Sequence, residues 1–573
     1  MSKRYFLFHF LLLLSLYSFS QYPSRYFIQF TDKNNNGYSL SDPSAFLSER
    51  AIERRTHQNI GYDFSDLPVT QSYIDTIASL GATILHPTKW LNGVTIETTN
   101  QNVLNSIYTL PFVVNQTYIV GRRSNPHGKA IDTMSFIQRE SLLKSSSTPH
   151  RMESPKGIDY GYGYNQIHMI NGDYLHSHGY LGDGILIAIL DAGFLHVDSM
   201  SGFDSIRNNN QILGTRNFVA DAYNDVYEDH YHGCMVLSCI AANLPGEMVG
   251  TAPHASFWLI ITEDVATENI IEEYNWASGA ELADSAGADI ISTSLGYMLF
   301  DNPDQNPTYA DMNGRWSPAS RAATIAAEKG ILVCAAAGND AQNSFWNHIG
   351  SPADADSILA VGAVDASGTY ANFSSIGPSS DGRIKPDVAT QGAGTTVMTP
   401  IWAPPDSLNT SANGTSFATP ILAGAAACLW QAHPEKTNMQ IRNAIIESAS
   451  QFYAPDSLLG YGIPNFAKAD SILNRSGIYS QDTLLALYPN PFTQTFSFDF
   501  YSFNSRNIDV TLTDIMGKIV DKETHALGIG SINTFTIPSF NNNSGSMPEI
   551  SKGVYILQIR SANFLFTKKV VKL

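Results

Sequence analysis

Hydrophobic and polar positions alternate in three different ways along this chain. Up to about residue 151, short strand-like and helix-like stretches interleave. Residues 26–30 read as a strand and 71–80 as a helix closed by Gly81. Residues 82–85 and 94–98 predict strands, 102–108 a short helix, and 112–119 a last strand. The order β-α-β-β-α-β predicts a small two-layer α+β domain.

From 160 to about 474 the text changes to short apolar runs separated by longer amphipathic ones. The runs 185–190, 257–261, 289–292, 331–336 and 358–364 suit strands buried on both faces, as in a parallel sheet. Between them lie helices such as 317–329, with Ser317 as cap, Pro318 in first position and Gly330 as stop. Strands alternating with helices predict a doubly wound α/β domain. From 484 onward the pattern is all-β: 495–500, 508–513, 534–537, 553–559 and 564–571 alternate polar and apolar, with Asn, Gly and Ser between. A small β-sandwich is expected there.

The N-terminus carries Lys3-Arg4, an apolar run over 5–19, and the small residues Ser18 and Ser20 just before Gln21. That is the anatomy of a secretory signal peptide, and the run is short for a membrane span. No later stretch is long and apolar enough to span, so no transmembrane segment is expected in the mature chain. A polar segment over 122–155, rich in Ser and basic residues, reads as a protease-sensitive linker. The expected divisions are a signal peptide at 1–20, an α+β domain with linker at 21–150, the α/β domain at 155–474, and the β-sandwich at 484–573.

Composition narrows the function. A chain of 573 residues calls for about three or four domains, and 43% hydrophobic content supplies their cores. Charged residues make up 15%, below the roughly 25% usual in soluble proteins. A net charge of -18 argues against nucleic acid, whose phosphates need clustered Lys and Arg. The four cysteines, Cys234, Cys239, Cys334 and Cys428, make no disulfide framework. Cys234 and Cys239 share one predicted helix and point to different sides of it, and the other two sit in apolar runs.

The stretch Gly414-Thr415-Ser416-Phe417-Ala418-Thr419-Pro420 precedes a small-residue run, Ala423-Gly424-Ala425-Ala426-Ala427. It places a hydroxyl at a helix start, where backbone N–H groups are unpaired and the dipole favours negative charge. A lone serine there is more commonly an N-cap than a nucleophile, so catalysis needs partners. Asp191 leaves the apolar strand 185–190, where a carboxylate is costly unless it is hydrogen-bonded. His232 opens His232-Gly233-Cys234-Met235-Val236, and its imidazole titrates near neutrality. His230 is its competitor, without the adjoining Gly-led helix. Asn339 ends the run Cys334-Ala335-Ala336-Ala337-Gly338-Asn339, where an amide can donate to a developing oxyanion. Each of these has a structural alternative: a turn Asp, a packed His, a turn Asn.

Taken together they resemble the subtilisin-like serine peptidase family. The matching stretches are Ile187-Ala188-Ile189-Leu190-Asp191-Ala192-Gly193, the His232 and Asn339 segments, and Gly414 to Pro420, in the family's order Asp, His, Ser. Gly250-Thr251-Ala252-Pro253, Ser292-Thr293-Ser294-Leu295-Gly296 and Lys385-Pro386-Asp387-Val388 add support. The resemblance covers about 160–474. It implies a serine endopeptidase acting through an acyl-enzyme, in which Asp191 orients the base, His232 is general base and acid, and Ser416 attacks. Asn339 and the Ser416 backbone N–H would form the oxyanion hole. Ser294, Leu295 and Gly296 would pair with extended protein or peptide substrates as an added strand. Ala336, Ala337, Gly338 and Gly350 would line an S1 pocket with small walls, suited to large apolar residues. One departure is Cys234, where the family usually has threonine.

The N-terminal α+β segment is similar to subtilisin propeptides, which implies a zymogen processed between about 122 and 156. Tyr488-Pro489-Asn490-Pro491, Asp514-Ile515-Met516-Gly517-Lys518, Gly553-Val554-Tyr555-Ile556-Leu557 and the terminal Thr567-Lys568-Lys569-Val570-Val571-Lys572-Leu573 resemble the C-terminal sorting domain of the type IX secretion system. That implies export by this machinery to the extracellular space or the outer-membrane surface. No cofactor is needed for the chemistry. Structural calcium is common in the family, but no ligand loop can be assembled from this sequence. Two rivals remain at this stage. An α/β-hydrolase esterase needs G-x-S-x-G and a serine that comes first, whereas here Ala418 fills the last Gly place and Ser416 comes last. A catalytically silent surface-binding protein with the same fold is the other.

Overall fold

The computed structural model describes residues 24–114, 119–122, 157–219, 225–400, 409–476, 482–502, 505, 507–528, 531–537, 550–561 and 564–573. The signal-peptide segment and the linker over 123–156 lie outside the described residues.

The N-terminal domain is a four-stranded antiparallel sheet in the order Thr83–Thr88, Gly93–Thr98, Ser24–Gln29, Ile119–Arg122. Helices Gln71–Ser79 and Gln101–Tyr108 cover one face through Ile74, Ile77, Leu104 and Ile107, which are the apolar positions of each helix. Of the strand expected at 112–119, residues 115–118 lie outside the described residues; Val113 makes an isolated bridge to Phe30, and a strand runs Ile119–Arg122. Sequence periodicity also misses the helix Glu49–His57, whose mean composition is polar because it carries Arg54 and Arg55 on its buried side. Its Ser48 cap accepts from the Ala51 N–H at 3.2 Å.

The central domain is built on seven parallel strands in the order Val388–Gln391, Leu359–Val364, Leu332–Ala336, Ile290–Thr293, Leu186–Asp191, Ser256–Ile261, Ile212–Asn217. The doubly wound α/β expectation holds. Along Leu186–Asp191, Ile187 and Ile189 enter one apolar core, while Leu186, Ala188 and Leu190 enter the other. The period-two alternation of a strand therefore feeds both covered faces, which is why the run reads as continuously apolar. Strands Ile212–Asn217 and Val388–Gln391 escaped the sequence reading because the former is polar and edge-placed and the latter is only four residues long.

Helix His232–Ala241 is buried along its whole length and packs with helix Thr415–Ala432. Small residues permit the contact: a Cβ on Gly424 would stand 2.0 Å from Thr251 Oγ1 and 3.2 Å from Ile240 Cγ2. The C-terminal domain is a β-sandwich, as expected. Strands Thr483–Tyr488, Phe496–Ser502 and Ser531–Ile537 form one sheet, and Ile519–Ala526, Asn507–Asp514, Gly553–Arg560 and Leu565–Lys572 the other. Phe498, Phe500, Leu512 and Leu557 are among the residues between them. Among the described residues, no helix is long and apolar enough to cross a membrane.

Candidate active site

In an open parallel sheet, side chains converge where strands end at a reversal of strand order. Here the strand Leu186–Asp191 lies between Ile290–Thr293 and Ser256–Ile261, and the order reverses on it. Asp191 is its last residue and is fully buried. One carboxylate oxygen accepts from its neighbour's backbone, Ala192 N–H, at 2.7 Å and lies 2.7 Å from His232 Nδ1. With Asp191 ionised, that bond makes Nδ1 the protonated nitrogen and Nε2 the one that carries the lone pair.

His232 is the first residue of its helix, and glycine follows it for a steric reason. A Cβ on Gly233 would stand 2.3 Å from the Gly193 carbonyl oxygen and 3.1 Å from Asp191 Cβ. Only a glycine lets this helix approach the Asp191 turn closely enough for the bond. His230 plays a different part: its Nδ1 accepts the His232 backbone N–H at 3.3 Å. Burial and the nearby His232 charge lower the His230 pKa to about 3, so it stays neutral.

Ser416 is the second residue of helix Thr415–Ala432, and the N-cap is Gly414. The cap alternative for Ser416 is therefore corrected: no side chain caps this helix. The Ser416 hydroxyl instead donates to the Ser294 carbonyl at 3.3 Å, and the Ser294 hydroxyl donates back to the Ser416 carbonyl at 2.8 Å. The second bond has a cause in sequence. A helical carbonyl at 416 would normally accept from the N–H of residue 420, which is proline and has none. The Phe417 ring lies 6.0 Å from the His232 ring, which brings the serine segment beside the imidazole.

Asn339 lies three residues beyond the strand Leu332–Ala336. Its Oδ1 accepts the Thr415 backbone N–H at 2.8 Å and the Thr415 hydroxyl at 3.0 Å. Both bonds fix the amide orientation, so Nδ2 is the free end, buried and without a hydrogen-bond partner. A buried unpaired donor is costly and marks a place where something else is to be received.

The other expected residues cluster around the same strand ends. Ser294 and Leu295 are fully buried, and the following segment is tied to the 350–351 segment through Tyr297 N–H to the Ser351 carbonyl at 2.8 Å. Gly338 has φ of +115°, and a Cβ there would meet Ser375 Oγ at 2.6 Å. Ala336 and Ala337 are buried, and a Cβ on Gly350 would stand 2.3 Å from the Met298 methyl. Cys234 is buried with its Sγ 3.6 Å from Met200 Sδ, and burial pushes its thiol pKa up, so it is a packing residue rather than a reactive one. All four cysteines are buried and none is in a disulfide.

Sequence reasoning gave no role to Thr415, although it adjoins the serine, nor to the Ser294 hydroxyl. It also missed a buried group of glutamates at 263, 268 and 272. Their signal was present in Glu263-Asp264, just past a strand exit, and Glu272-Glu273, at a helix start.

Comparisons with known proteins agree along most of the chain. Residues 182–462 match the Subtilase family, 25–134 the Peptidase S8 propeptide domain of Bacteroidota, and 486–573 a secretion system C-terminal sorting domain. Subtilisin NAT of Bacillus subtilis subsp. natto is 31% identical over 319 residues, 55% of this chain and 72% of its own. Subtilisin E of Bacillus subtilis (strain 168) has the same identity and coverage. The subtilisin of Bacillus pumilus is 30% identical over 310 residues, 54% of this chain and 98% of its own.

Proposed function

Because the chain belongs to the subtilase family and is a serine endopeptidase, we propose that Asp191, His232 and Ser416 are its catalytic triad. Ser416 Oγ attacks the scissile carbonyl and passes its proton to His232 Nε2. Asp191 holds Nδ1–H and stabilises the imidazolium as it forms. The tetrahedral oxyanion is received by Asn339 Nδ2 and the Ser416 backbone N–H, in the second position of its helix, where N–H groups lack intrahelical partners. Collapse returns the proton from His232 to the leaving amine and leaves an acyl-enzyme, which water cleaves by the same route in reverse. The observation that carries this reading is the buried, partnerless Asn339 Nδ2, tied through Oδ1 to the residue next to Ser416.

Substrate backbone pairs with Ser294-Leu295-Gly296 as an added strand, and the P1 side chain enters beside Ala336, Ala337, Gly338 and Gly350. The small walls favour large apolar P1 residues. Cleavage profiling on a peptide library checks this, and a preference for basic P1 residues overturns it.

The chain carries a propeptide and a sorting domain, so it is made as a zymogen and exported beyond the cytoplasm to the cell surface or outside. The finer reading places maturation between 122 and 156 and has the C-terminal domain engage the type IX machinery. A serine-directed phosphonate probe tests the core of the proposal. The mature protein should be labelled on Ser416, and Ser416→Ala should not be labelled. Labelling that persists in Ser416→Ala overturns the assignment, and an unlabelled mature protein supports the silent surface-binding fold instead.

A further inference from the structure

Three glutamates meet near Asp191. Glu263 lies two residues past the strand Ser256–Ile261, Glu268 is in the following loop, and Glu272 is in the first turn of helix Ile271–Ala286. A carboxylate oxygen from each lies within 4.8 Å of the others, and the residues are only 2%, 1% and 0% exposed. Glu272 also accepts the Asn269 backbone N–H at 3.2 Å, which folds the loop back over the group.

Three carboxylates this close, out of water, repel one another strongly and must be neutralised by protons or by a cation. The neighbouring charges make matters worse. After burial, Asp264 and Asp191 are the groups that most raise the Glu263 pKa, and the glutamates raise that of Glu272. Both Glu263 oxygens lack a hydrogen-bond partner.

A second observation comes from a neutral side chain on a different element. Tyr297 is fully buried, and its hydroxyl has no hydrogen bond of normal geometry. Burial first, then the charges of Glu263, Glu272 and Glu268, raise its pKa, so the hydroxyl faces this group. It lies near enough to Glu263 to favour that carboxylate's charged form, without a hydrogen bond of normal geometry between them. A buried hydroxyl that lies among these carboxylates without a hydrogen bond of normal geometry is a ligand position. Glu273, the next helix residue, also acts on Tyr297 by its charge, but its hydrogen-bonding neighbours are Ser317 and Ser351.

We infer that Glu263, Glu268 and Glu272 bind one hard divalent cation, calcium, with the Tyr297 hydroxyl as a neutral oxygen beside it. The donors are all oxygen, with no histidine or thiol, which excludes a soft-metal site. A buried cage of protein oxygens suits calcium better than magnesium, which keeps several of its waters. The ion would pin the loop from 263 to 270. It would also brace the triad, since the Thr262 N–H donates to the Asp191 carbonyl at 3.0 Å. The site stands independently of the catalytic assignment.

The test uses the full chain carrying Ser416→Ala, which cannot digest itself, compared with the same chain carrying Glu263→Gln and Glu272→Gln. Both are stripped with EDTA, given calcium, gel-filtered and counted for metal. The double variant should hold one ion fewer per chain, and calcium should raise its melting temperature less. Equal counts with equal melting shifts overturn the site and leave the glutamates neutralised by protons. Terbium gives a readout that does not depend on the double variant. Tyr297 excitation should sensitise terbium bound here, and Tyr297→Phe should lose most of that emission; undiminished emission in Tyr297→Phe overturns the inference.

Discussion

Asn339 is aimed by Thr415: its Oδ1 takes both the backbone N–H and the hydroxyl of Thr415, at 2.8 and 3.0 Å, so only Nδ2 remains to face a substrate oxyanion. Asn339→Ala should lower kcat by about 100- to 1000-fold with KM little changed, a size borrowed from another subtilase rather than derived. Thr415→Val removes one of the two bonds and also the acceptor for the Gly338 N–H, 3.2 Å away. It should cost about 1–3 kcal/mol of stability and a smaller part of kcat. Steady-state kinetics and thermal melts of both variants check the pair.

The Ser294 hydroxyl fills the gap that Pro420 leaves at the Ser416 carbonyl. Ser294→Ala should leave that buried carbonyl without this donor, at a cost of about 1–3 kcal/mol. Activity should drop with stability, because the serine helix loses the shorter of its two ties to the substrate-pairing segment. A double variant with Pro420→Ala restores a helical N–H and should recover part of the loss, as melting temperature reports.

Hydrolysis should fall as pH drops below neutrality, because protonated His232 cannot accept the serine proton. The slope of log(kcat/KM) on the acid side should be one. His230, held neutral down to about pH 3, adds no second proton. His230→Gln should keep the position of this limb, and a slope of two in the wild type would contradict the assignment.

The propeptide carries its own pH response. His86 is buried against the helix Ile271–Ala286, with Nε2 2.7 Å from Asn275 Oδ1 and Nδ1 2.9 Å from Ser278 Oγ. Burial, opposed by the Asn275 bond and aided by the charges of Arg216 and Arg25, lowers its pKa from 6.5 to about 4. Once released, the imidazole regains an ordinary pKa and takes up a proton that the bound form refuses. The His86 contribution to retention is therefore full above about pH 6.5, weakens as pH falls from there to about 4, and levels off below. Glu281, raised by burial to about 7 against the Lys89 and Trp90 N–H groups, opposes it; the difference between wild type and His86→Gln isolates the His86 part. A His86 gap of that width is worth at most about 3–4 kcal/mol, roughly 300-fold in affinity. Measuring how fast the cleaved propeptide leaves across this range checks it, and His86→Gln should remove this part of the profile.

A second contact holds the propeptide by charge. Arg54 and Arg55 reach Asp284 on the same helix, at 2.5 and 2.8 Å, and Lys89 lies 3.4 Å from it. Burial alone would raise the Asp284 pKa, but Lys89, Arg54 and Arg55 outweigh it and hold it at about 2. This contribution is present above about pH 3.8 and is lost only as pH falls toward 2, so it is constant between pH 6.5 and 4. Asp284→Asn leaves buried cations unpaired and should weaken retention by about 3–5 kcal/mol. A time course of propeptide loss at neutral pH measures it.

The fold was legible wherever burial is two-sided or alternation is clean. Strand Leu186–Asp191 and helix Pro318–Glu328 are both visible in sequence, the first by its apolar run and the second by Ser317, Pro318 and Gly330. Helix Glu49–His57 was not, because its buried face carries arginines whose shared partner, Asp284, lies more than 200 residues away. Strand Ile212–Asn217 was missed for a related reason: at the sheet edge one side stays wet, and its text turns polar.

Asp191, His232, Asn339 and Ser416 could be picked out from sequence because each sits at a strand exit or helix start, a local property that neighbouring residues encode. What the sequence determined was this set of positions and the α/β order that carries them. Which groups meet was decided by the tertiary structure. It bonded Asp191 to His232 rather than His230, turned the Asn339 amide by way of Thr415, and gave Pro420 a meaning through Ser294. It also gathered Glu263, Glu268 and Glu272 into one buried group. The physical reason is that hydrogen-bond direction and charge proximity depend on distances of a few ångströms between segments far apart in sequence, and only the packed sheet and helices set those distances.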